Sequence, residues 1–518
     1  MTDHALPLKA ARALPSLRTV HKVTALIALL WLTVLGLTGW ILDHHEWRWT
    51  HQKTVPSSWT SKAIGRLVRG TILRKIEADP NDPQTYLGAS ERGTWRTADN
   101  GKTWEDVRWE DSDGRSLGAT PQVYDMVSSP AGTLDGVWLA TDDGIWVTDD
   151  GGRRAKPFAL RGEQITSLTP GATSDQLVGV RDEGALFRMS LSGGTTEWIS
   201  LGDVRVTGLP EHIGLTRFAL DLHVGRGFLP QPWSTLINDF GGIALAILSL
   251  TGLLFWWLPR RWRGHKPQGA LKSRQQILRW LFRGHGPVIG LLAVVPILYV
   301  SITGIAVDHI VVLLEPDANV PVSRAVLPPL YDYRNLSREV TGVVAFPNAP
   351  DRFVISSRFG LLATDDGGKT WAFDRSLPQG GDGTDGGRAN MFRRADTLFI
   401  GIGGVAQYAK PDSADTWTEL KLNGPKLAIS DAARRGDVWY VKNSRAIYAG
   451  RLTEASPFED SKIAFPALTG TTAFLFLADI HTGNVFHAEW RWINDLTALL
   501  AIVLALSGPI LWWRRKWM

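Results

Sequence analysis

Histidines are the residues here best suited to chemistry, and six of the twelve fall at corresponding places in two halves of the chain. His21 and His285 open apolar runs, His44 and His309 close the same runs, and His223 and His481 stand shortly before two others. From His21 to His44 is 23 residues, about 34 Å of helix at ~1.5 Å per residue, so the two mark opposite ends of one span. A single histidine at a membrane boundary is ordinarily an interfacial side chain that reaches water. Three pairs kept in both halves point instead to a shared task. Neutral imidazole is a strong ligand for haem iron, and two imidazoles on facing helices can grip one porphyrin from both sides. Each apolar run also carries Thr-Gly or Ser-Gly, where the bare backbone admits either a flat macrocycle or a second helix. The sequence weights those two uses of glycine equally.

Four apolar runs must position these residues. Val23–Leu42, Leu236–Leu258, Pro287–Val307 and Ile493–Trp513 are each long enough to cross hydrocarbon as a helix. The first lacks a small-residue cleavage pattern before Asp43-His44-His45 and reads as a retained span. Lys9, Arg12, Arg18 and Lys22 precede it. Arg260, Arg261, Arg263, Lys266, Lys272, Arg274, Arg279 and Arg283 lie between runs two and three, and Arg514, Arg515 and Lys516 follow run four. The positive-inside rule places all three groups in the cytoplasm. The expected order is a cytoplasmic N-terminus 1–22, spans 23–42 and 236–258 around an outer segment 43–235, and a cytoplasmic loop 259–286. Spans 287–307 and 493–513 then flank an outer segment 308–492, with a tail 514–518. The setting this predicts is a bacterial inner membrane, N-in and C-in. The absence of cysteine excludes Cys-ligated zinc, iron–sulfur clusters and covalently attached c-type haem. The modest net charge of +5 indicates no nucleic-acid partner.

The two halves are a duplication. Ile237-Asn238-Asp239, Thr251-Gly252 and Trp256-Trp257 return as Ile493-Asn494-Asp495, Ser507-Gly508 and Trp512-Trp513 at a constant offset of 256. Asp221-Leu222-His223-Val224-Gly225 matches Asp479-Ile480-His481-Thr482-Gly483, and Thr38-Gly39 and Asp43-His44 match Thr303-Gly304 and Asp308-His309. Each half enters, leaves and re-enters the cytoplasm, so the repeats are parallel, related by an axis along the membrane normal.

The outer segments read as β-structure. Thr97–Trp104 and Thr364–Trp371 carry S/T-x-D-x-G-x-T-W, and Thr148–Gly152 holds a truncated copy. This resembles the Asp-box (BNR) repeat of sialidase-like and sortilin-like propellers. Its Asp accepts backbone N–H bonds in a turn and its Gly takes positive φ. Such turns lie away from catalytic centres in those families, and no arginine cluster with a Tyr/Glu pair accompanies them, so glycosidase activity is not inferred. With further strand groups near 164–200, 390–420 and 425–452, the expected fold is membrane α plus all-β. Four transmembrane helices from two parallel repeats would carry a periplasmic β-propeller of about six blades built from both repeats.

The histidine-led first span ending in L-T-G, the outer D-x-H-x-G and the T-G-L-x-x-W-W ending resemble the PepSY-associated transmembrane family. That family includes iron-regulated inner-membrane proteins and siderophore-iron reductases with b-type haem. The resemblance covers the spans and their flanks, and a propeller stands where the PepSY domain would be. It implies a conduit with two haems b reducing an outer acceptor, ferric iron or a ferric chelate, with quinol or a separate reductase as donor. His21 and His285 would hold an inner haem. An outer one would draw two ligands from His223, His481, His44 and His309, with His223 and His481 favoured by their D-x-H-x-G setting. Arg18, Lys22, Arg226 and Arg283 are candidate propionate partners, and Asp221 and Asp479 are candidate acceptors orienting the outer histidines. Asp239 and Asp495 suit proton handling or, with their asparagines, helix capping. The rival readings are a membrane-anchored propeller that binds a ligand or partner protein, and a transporter accessory.

Overall fold

The structure is a computed structural model. It describes residues 16–517 except 45–46, 63–71, 119, 129–132, 182–183, 194–195, 227–228, 230–231, 263–270, 314–319, 333, 338, 358–359, 375, 379–388, 403–405, 426 and 468–469. Lys9, Arg12, Arg263 and Lys266 lie outside the described residues. The chain divides into a helical unit (1–46, 219–313, 477–518) and a β unit (47–218, 314–476).

Eight α-helices are described, in chain order α1 Leu17–Asp43, α2 Arg48–Gln52, α3 Leu215–His223, α4 Trp233–Arg261, α5 Leu271–Arg283, α6 Val294–Leu313, α7 Ala473–Thr482 and α8 Arg491–Trp517. In the helical unit, α1, α4 and α8 are long and apolar enough to cross a membrane. The third apolar run is bent, with Lys272–Gly290 meeting Val294–His309 at 63°. A π-helical turn, Gly284–Gly290, occupies the bend. Pro287 lacks the N–H that would continue the α ladder, and three glycines around it tolerate the wider turn. Helix α1 begins at Ser16, whose hydroxyl accepts from the Thr19 amide. Helices α1 and α4 meet backbone to backbone, because a Cβ built on Gly36 would lie 2.4 Å from the Gly242 carbonyl oxygen.

Among the described residues the β unit contains six antiparallel meanders, over 75–106, 123–159, 165–200, 340–373, 389–419 and 431–460. Their first strands follow one another, Lys75–Ala78, Val123–Val127, Ile165–Pro170, Val340–Phe346, Ala389–Arg394 and Asp431–Arg435, and the last packs against the first. The result is a β unit of meanders laid beside one another in chain order. The two halves of the chain are stitched within it: Arg205–Thr207 adds to the fourth meander beside Thr370, and Thr54–Pro56 pairs with Gly470–Thr472. Trp109 and Trp146 meet edge to face at 5.0 Å within one apolar cluster, and Trp371 is buried in another.

In the turns at Asp99 and Asp366 one pattern recurs. Asp99 accepts from the Thr103 amide and hydroxyl at 2.8 and 2.6 Å, and Asp366 from those of Thr370 at 3.0 and 2.6 Å. These bonds to the ionised form hold both carboxyls down to about 2. The stabilisation is therefore present above the ordinary carboxylate range and lost only as pH falls through about 2.

One ionic network ties the first strands of all six meanders. Lys75 Nζ lies 2.8 Å from Asp125, and Arg394 Nη2 lies 3.6 Å from Asp125 and 2.6 Å from Asp431. Asp431 accepts from the Ile76 amide, Asp125 accepts from the Ser167 hydroxyl, and the same hydroxyl accepts from the Val343 amide. Arg394 is 6 % exposed and Asp431 is fully buried. Arg394→Met strands these carboxylates without their shared cation, so a loss of about 3–5 kcal/mol is expected. Chemical denaturation followed by tryptophan fluorescence reads it as a lowered midpoint, and an unchanged midpoint would show the network to be dispensable.

Candidate functional site

The four Thr-Gly and Ser-Gly pairs are seats for four histidines. His481 Nδ1 lies 2.9 Å from Thr38 Oγ1, and His223 Nδ1 lies 3.2 Å from Thr303 Oγ1. His285 Nδ1 lies 2.9 Å from Thr251 Oγ1, and His21 Nδ1 lies 2.7 Å from Ser507 Oγ. The adjoining glycine supplies the room. A Cβ at Gly39, Gly304 or Gly252 would come within 3.2–3.3 Å of the seated ring's Cε1, and at Gly508 within 3.8 Å. Within the protein, what approaches these glycines is an imidazole edge; helix crossing belongs to Gly36 and Gly242.

The hydroxyls also settle which ring nitrogen carries the proton. Thr38, Thr251 and Thr303 donate their one proton to the carbonyls of Val34, Ile247 and Tyr299 at 2.7–2.8 Å. Each oxygen is then left to accept, so Nδ1 is the N–H and Nε2 keeps its lone pair. That is the tautomer a metal-binding histidine needs, held by an outer partner on the opposite nitrogen. Ser507 binds its own Leu504 carbonyl at 3.4 Å, so its seat is the loosest of the four.

Every seat crosses between repeats. His21 and His223 of the first rest on Ser507 and Thr303 of the second, and His285 and His481 of the second rest on Thr251 and Thr38 of the first. His21 and Thr38 are 17 residues apart on α1, roughly 26 Å at 1.5 Å per residue, so the seats form two layers at opposite ends of the helices.

In one layer the rings of His223 and His481 have centroids 6.4 Å apart and planes inclined at 43°. Two imidazoles on opposite sides of one metal ion, each at a metal–nitrogen distance of ~2 Å, hold their centres roughly 6 Å apart. The pair therefore fits a shared metal. Among the described residues, no group of three or more His, Cys, Asp or Glu is placed to hold a metal ion. In the other layer, His21 stands within electrostatic reach of His285.

The outer histidines are fixed from behind. Just past the ends of α3 and α7, Gly225 and Gly483 take φ of +65° and +75° and reverse the chain after each histidine. Asn238 Nδ2 donates to the His223 carbonyl at 2.6 Å, and Asn494 Nδ2 donates to that of His481 at 3.3 Å. Asn494 Oδ1 accepts from Trp31 at 2.7 Å. These asparagines lie inside α4 and α8, so they clamp histidine loops instead of capping their helices. Asp221 and Asp479 are buried, but the Nδ1 partners are the hydroxyls of Thr303 and Thr38. An acceptor on a facing helix can meet the ring edge-on, which a residue two places earlier on the same helical turn cannot.

His44 and His309 point elsewhere. His44 Nε2 lies 3.3 Å from Asp239 and His309 Nε2 lies 2.6 Å from Asp495, each pair inside its own repeat. Their Nε2 atoms face carboxylates, so the structure does not bring them to the His223–His481 pair. Arg18, Lys22 and Arg283 are exposed near His21 and His285, and Arg226 is half-buried three residues after His223.

Solved structures match parts of this chain. They include an ancestral GH74 enzyme (11 % identity, TM-score 0.31, 74 % of this chain and 36 % of that one) and the GH74 xyloglucanase of Xanthomonas campestris (12 %, 0.31, 73 % and 44 %). PorZ, a surface component of the type-IX secretion system of Porphyromonas gingivalis, also matches (10 %, 0.31, 76 % and 38 %). The chain thus spans less than half the length of each. No curated protein matches it. Residues 150–515 match the PepSY-associated TM region, well over half of the chain. By that match, together with its apolar helices, this is a membrane protein and a member of the PepSY-associated TM family.

Proposed function

We propose that the helical unit is a transmembrane electron conduit holding two haems b, one between His21 and His285 and one between His223 and His481. The observation that carries this reading is the fourfold seat, in which each imidazole is presented with Nδ1 occupied and Nε2 available. Bound haem supplies a one-electron ferric/ferrous couple. The chain's part is positional. Hydroxyls set the tautomer, glycines admit the rings, and asparagines hold the outer histidine loops in place. Because each seat draws on both repeats, the two sites assemble only when α1 meets α7 and α8, α3 meets α6, and α4 meets the π-helical turn that carries His285.

Four spans, N-in and C-in, place the His21–His285 layer at the cytoplasmic face of an inner membrane and a six-bladed propeller in the periplasm. The lysines and arginines of the cytoplasmic segments favour this sense. The acceptor is ferric iron or a ferric chelate, and the donor is quinol or a separate reductase, which makes the protein an oxidoreductase. The test is an optical spectrum of detergent-purified protein, oxidised and then dithionite-reduced, with haem counted by pyridine haemochrome. The expected result is a b-type α-band and two haems per chain. A colourless protein from haem-replete cells overturns the conduit and leaves a membrane-anchored propeller that binds a partner.

A further inference from the structure

The seated histidines leave a second duplicated constellation unused. His44–Asp239 and His309–Asp495 stand at equivalent places in the two repeats, with carboxylates and imidazoles only a tenth to a fifth exposed. His44 is six residues beyond Thr38 and His309 six beyond Thr303, so each pair lies roughly 9 Å along its helix from the seat of an outer histidine. The connection is also direct. Asn238, next to Asp239, binds both the His223 carbonyl and Asp43, and Asn494, next to Asp495, binds the His481 carbonyl. The other charges within reach are Asp43 and Arg226 at the first pair and Asp308 and Arg491 at the second. Rings cover both imidazoles, Trp40 edge-on to His44 at 6.4 Å and Trp492 tilted over His309 at 5.1 Å. Asp495 Oδ1 is buried and makes no hydrogen bond among the described residues, leaving an oxygen open to a proton.

We propose that the His44–Asp239 and His309–Asp495 pairs are proton-binding sites coupled to the charge of the outer metal centre. The inference rests on the electron-conduit reading above. A buried ion pair is a poor resting place for extra charge, and a nearby added electron is best offset by a proton in the same low-dielectric region. A one-electron reduction by the donor of a group held by His223 and His481 would add one negative charge there. A proton from the outer aqueous side binds a His–Asp pair, and it returns to water when the electron passes to the acceptor. Electrons and protons thus balance over each turnover, and nothing is bound or released beyond them. The pairs touch neither acceptor nor metal, so they act on the potential at which the outer site gives up its electron.

The test is spectroscopic redox titration of the haem-loaded full chain across pH, comparing the unaltered protein with Asp239→Asn/Asp495→Asn. The expected result is an outer-site midpoint potential that falls as pH rises in the unaltered chain and a largely flattened dependence in the double variant. The inner site should be alike in both. Infrared difference spectra on reduction give an independent readout, a carboxyl protonation band that the double variant lacks. If that variant does not fold, His44→Gln/His309→Gln removes the imidazoles instead and should flatten the same dependence. A pH-independent outer potential in the unaltered chain, or an equal slope in the folded variants, overturns the proposal while leaving the conduit intact. An unaltered chain without haem overturns both.

Discussion

On the two-haem proposal, the His481→Ala chain should bind one haem against two for the unaltered chain, and His21→Ala should lose the other one. Each substitution removes one of two rings flanking a centre. The opposite histidine, on another helix, keeps its own hydroxyl seat but has no counterpart. The layers are roughly 26 Å apart along α1, so loss at one end leaves packing at the other undisturbed. The combined variant should be colourless yet folded. Pyridine haemochrome per chain checks the count, and reduced spectra of the single variants separate the two centres. His44→Ala is the discriminating control, because that ring faces Asp239 instead of His223 or His481. It should retain both haems. If His44→Ala loses one and His481→Ala loses none, the ligand assignment is wrong. Thr38→Val supplies a graded version: it deletes the acceptor of His481 Nδ1–H and should weaken haem retention about 10–100-fold, the usual cost of removing an outer partner from a metal-binding histidine.

Gly36→Leu should abolish the helical unit's thermal stability in detergent. A Cβ at Gly36 lands 2.4 Å from the Gly242 carbonyl oxygen and 3.2 Å from the Ala246 amide nitrogen. Both are backbone atoms of α4, so no rotamer change relieves the clash and the helices must separate. Overpacking a core costs typically 1–3 kcal/mol even where side chains can yield, and about 3 kcal/mol or more is expected here. Separation would also carry Thr38, two residues along, away from His481, so the outer haem should fall below half occupancy in whatever protein survives. Leu37→Ala changes the neighbouring residue, which is 43 % exposed, and should melt like the unaltered chain. Equal melting temperatures for Gly36→Leu and the unaltered chain would show that α1 and α4 do not meet as described.

Much of this architecture is legible in the amino-acid order. A backbone in hydrocarbon must satisfy its own hydrogen bonds, so long uncharged runs announce helices whatever surrounds them. Duplication is equally plain, because matched Ile-Asn-Asp, Thr-Gly and Trp-Trp groups need only be aligned. The six strand groups follow from turn signals that act over a few residues, the Asp99 and Asp366 carboxylates bonding Thr103 and Thr370 only four positions on. The bend at Pro287 is local chemistry too, although composition alone suggests a straight third span.

What the amino-acid order does not reveal is which polar group meets which. Thr38 and His481 are 443 positions apart, and His21 and Ser507 are 486 apart. No periodicity links them; only the packing of α1 beside α7 and α8 does. The same packing separates glycines that look alike in sequence, making Gly39 the floor of a histidine seat and Gly36 a helix crossing. It also divides six equivalent-looking histidines into four with a hydroxyl on Nδ1 and two with a carboxylate on Nε2. Composition and local pattern suffice for the spans, the repeat and the set of histidines, because each of those is written within a few neighbouring residues. The partners of those histidines come from the fold, because a side chain's hydrogen bond is chosen by what the facing helix presents at that depth.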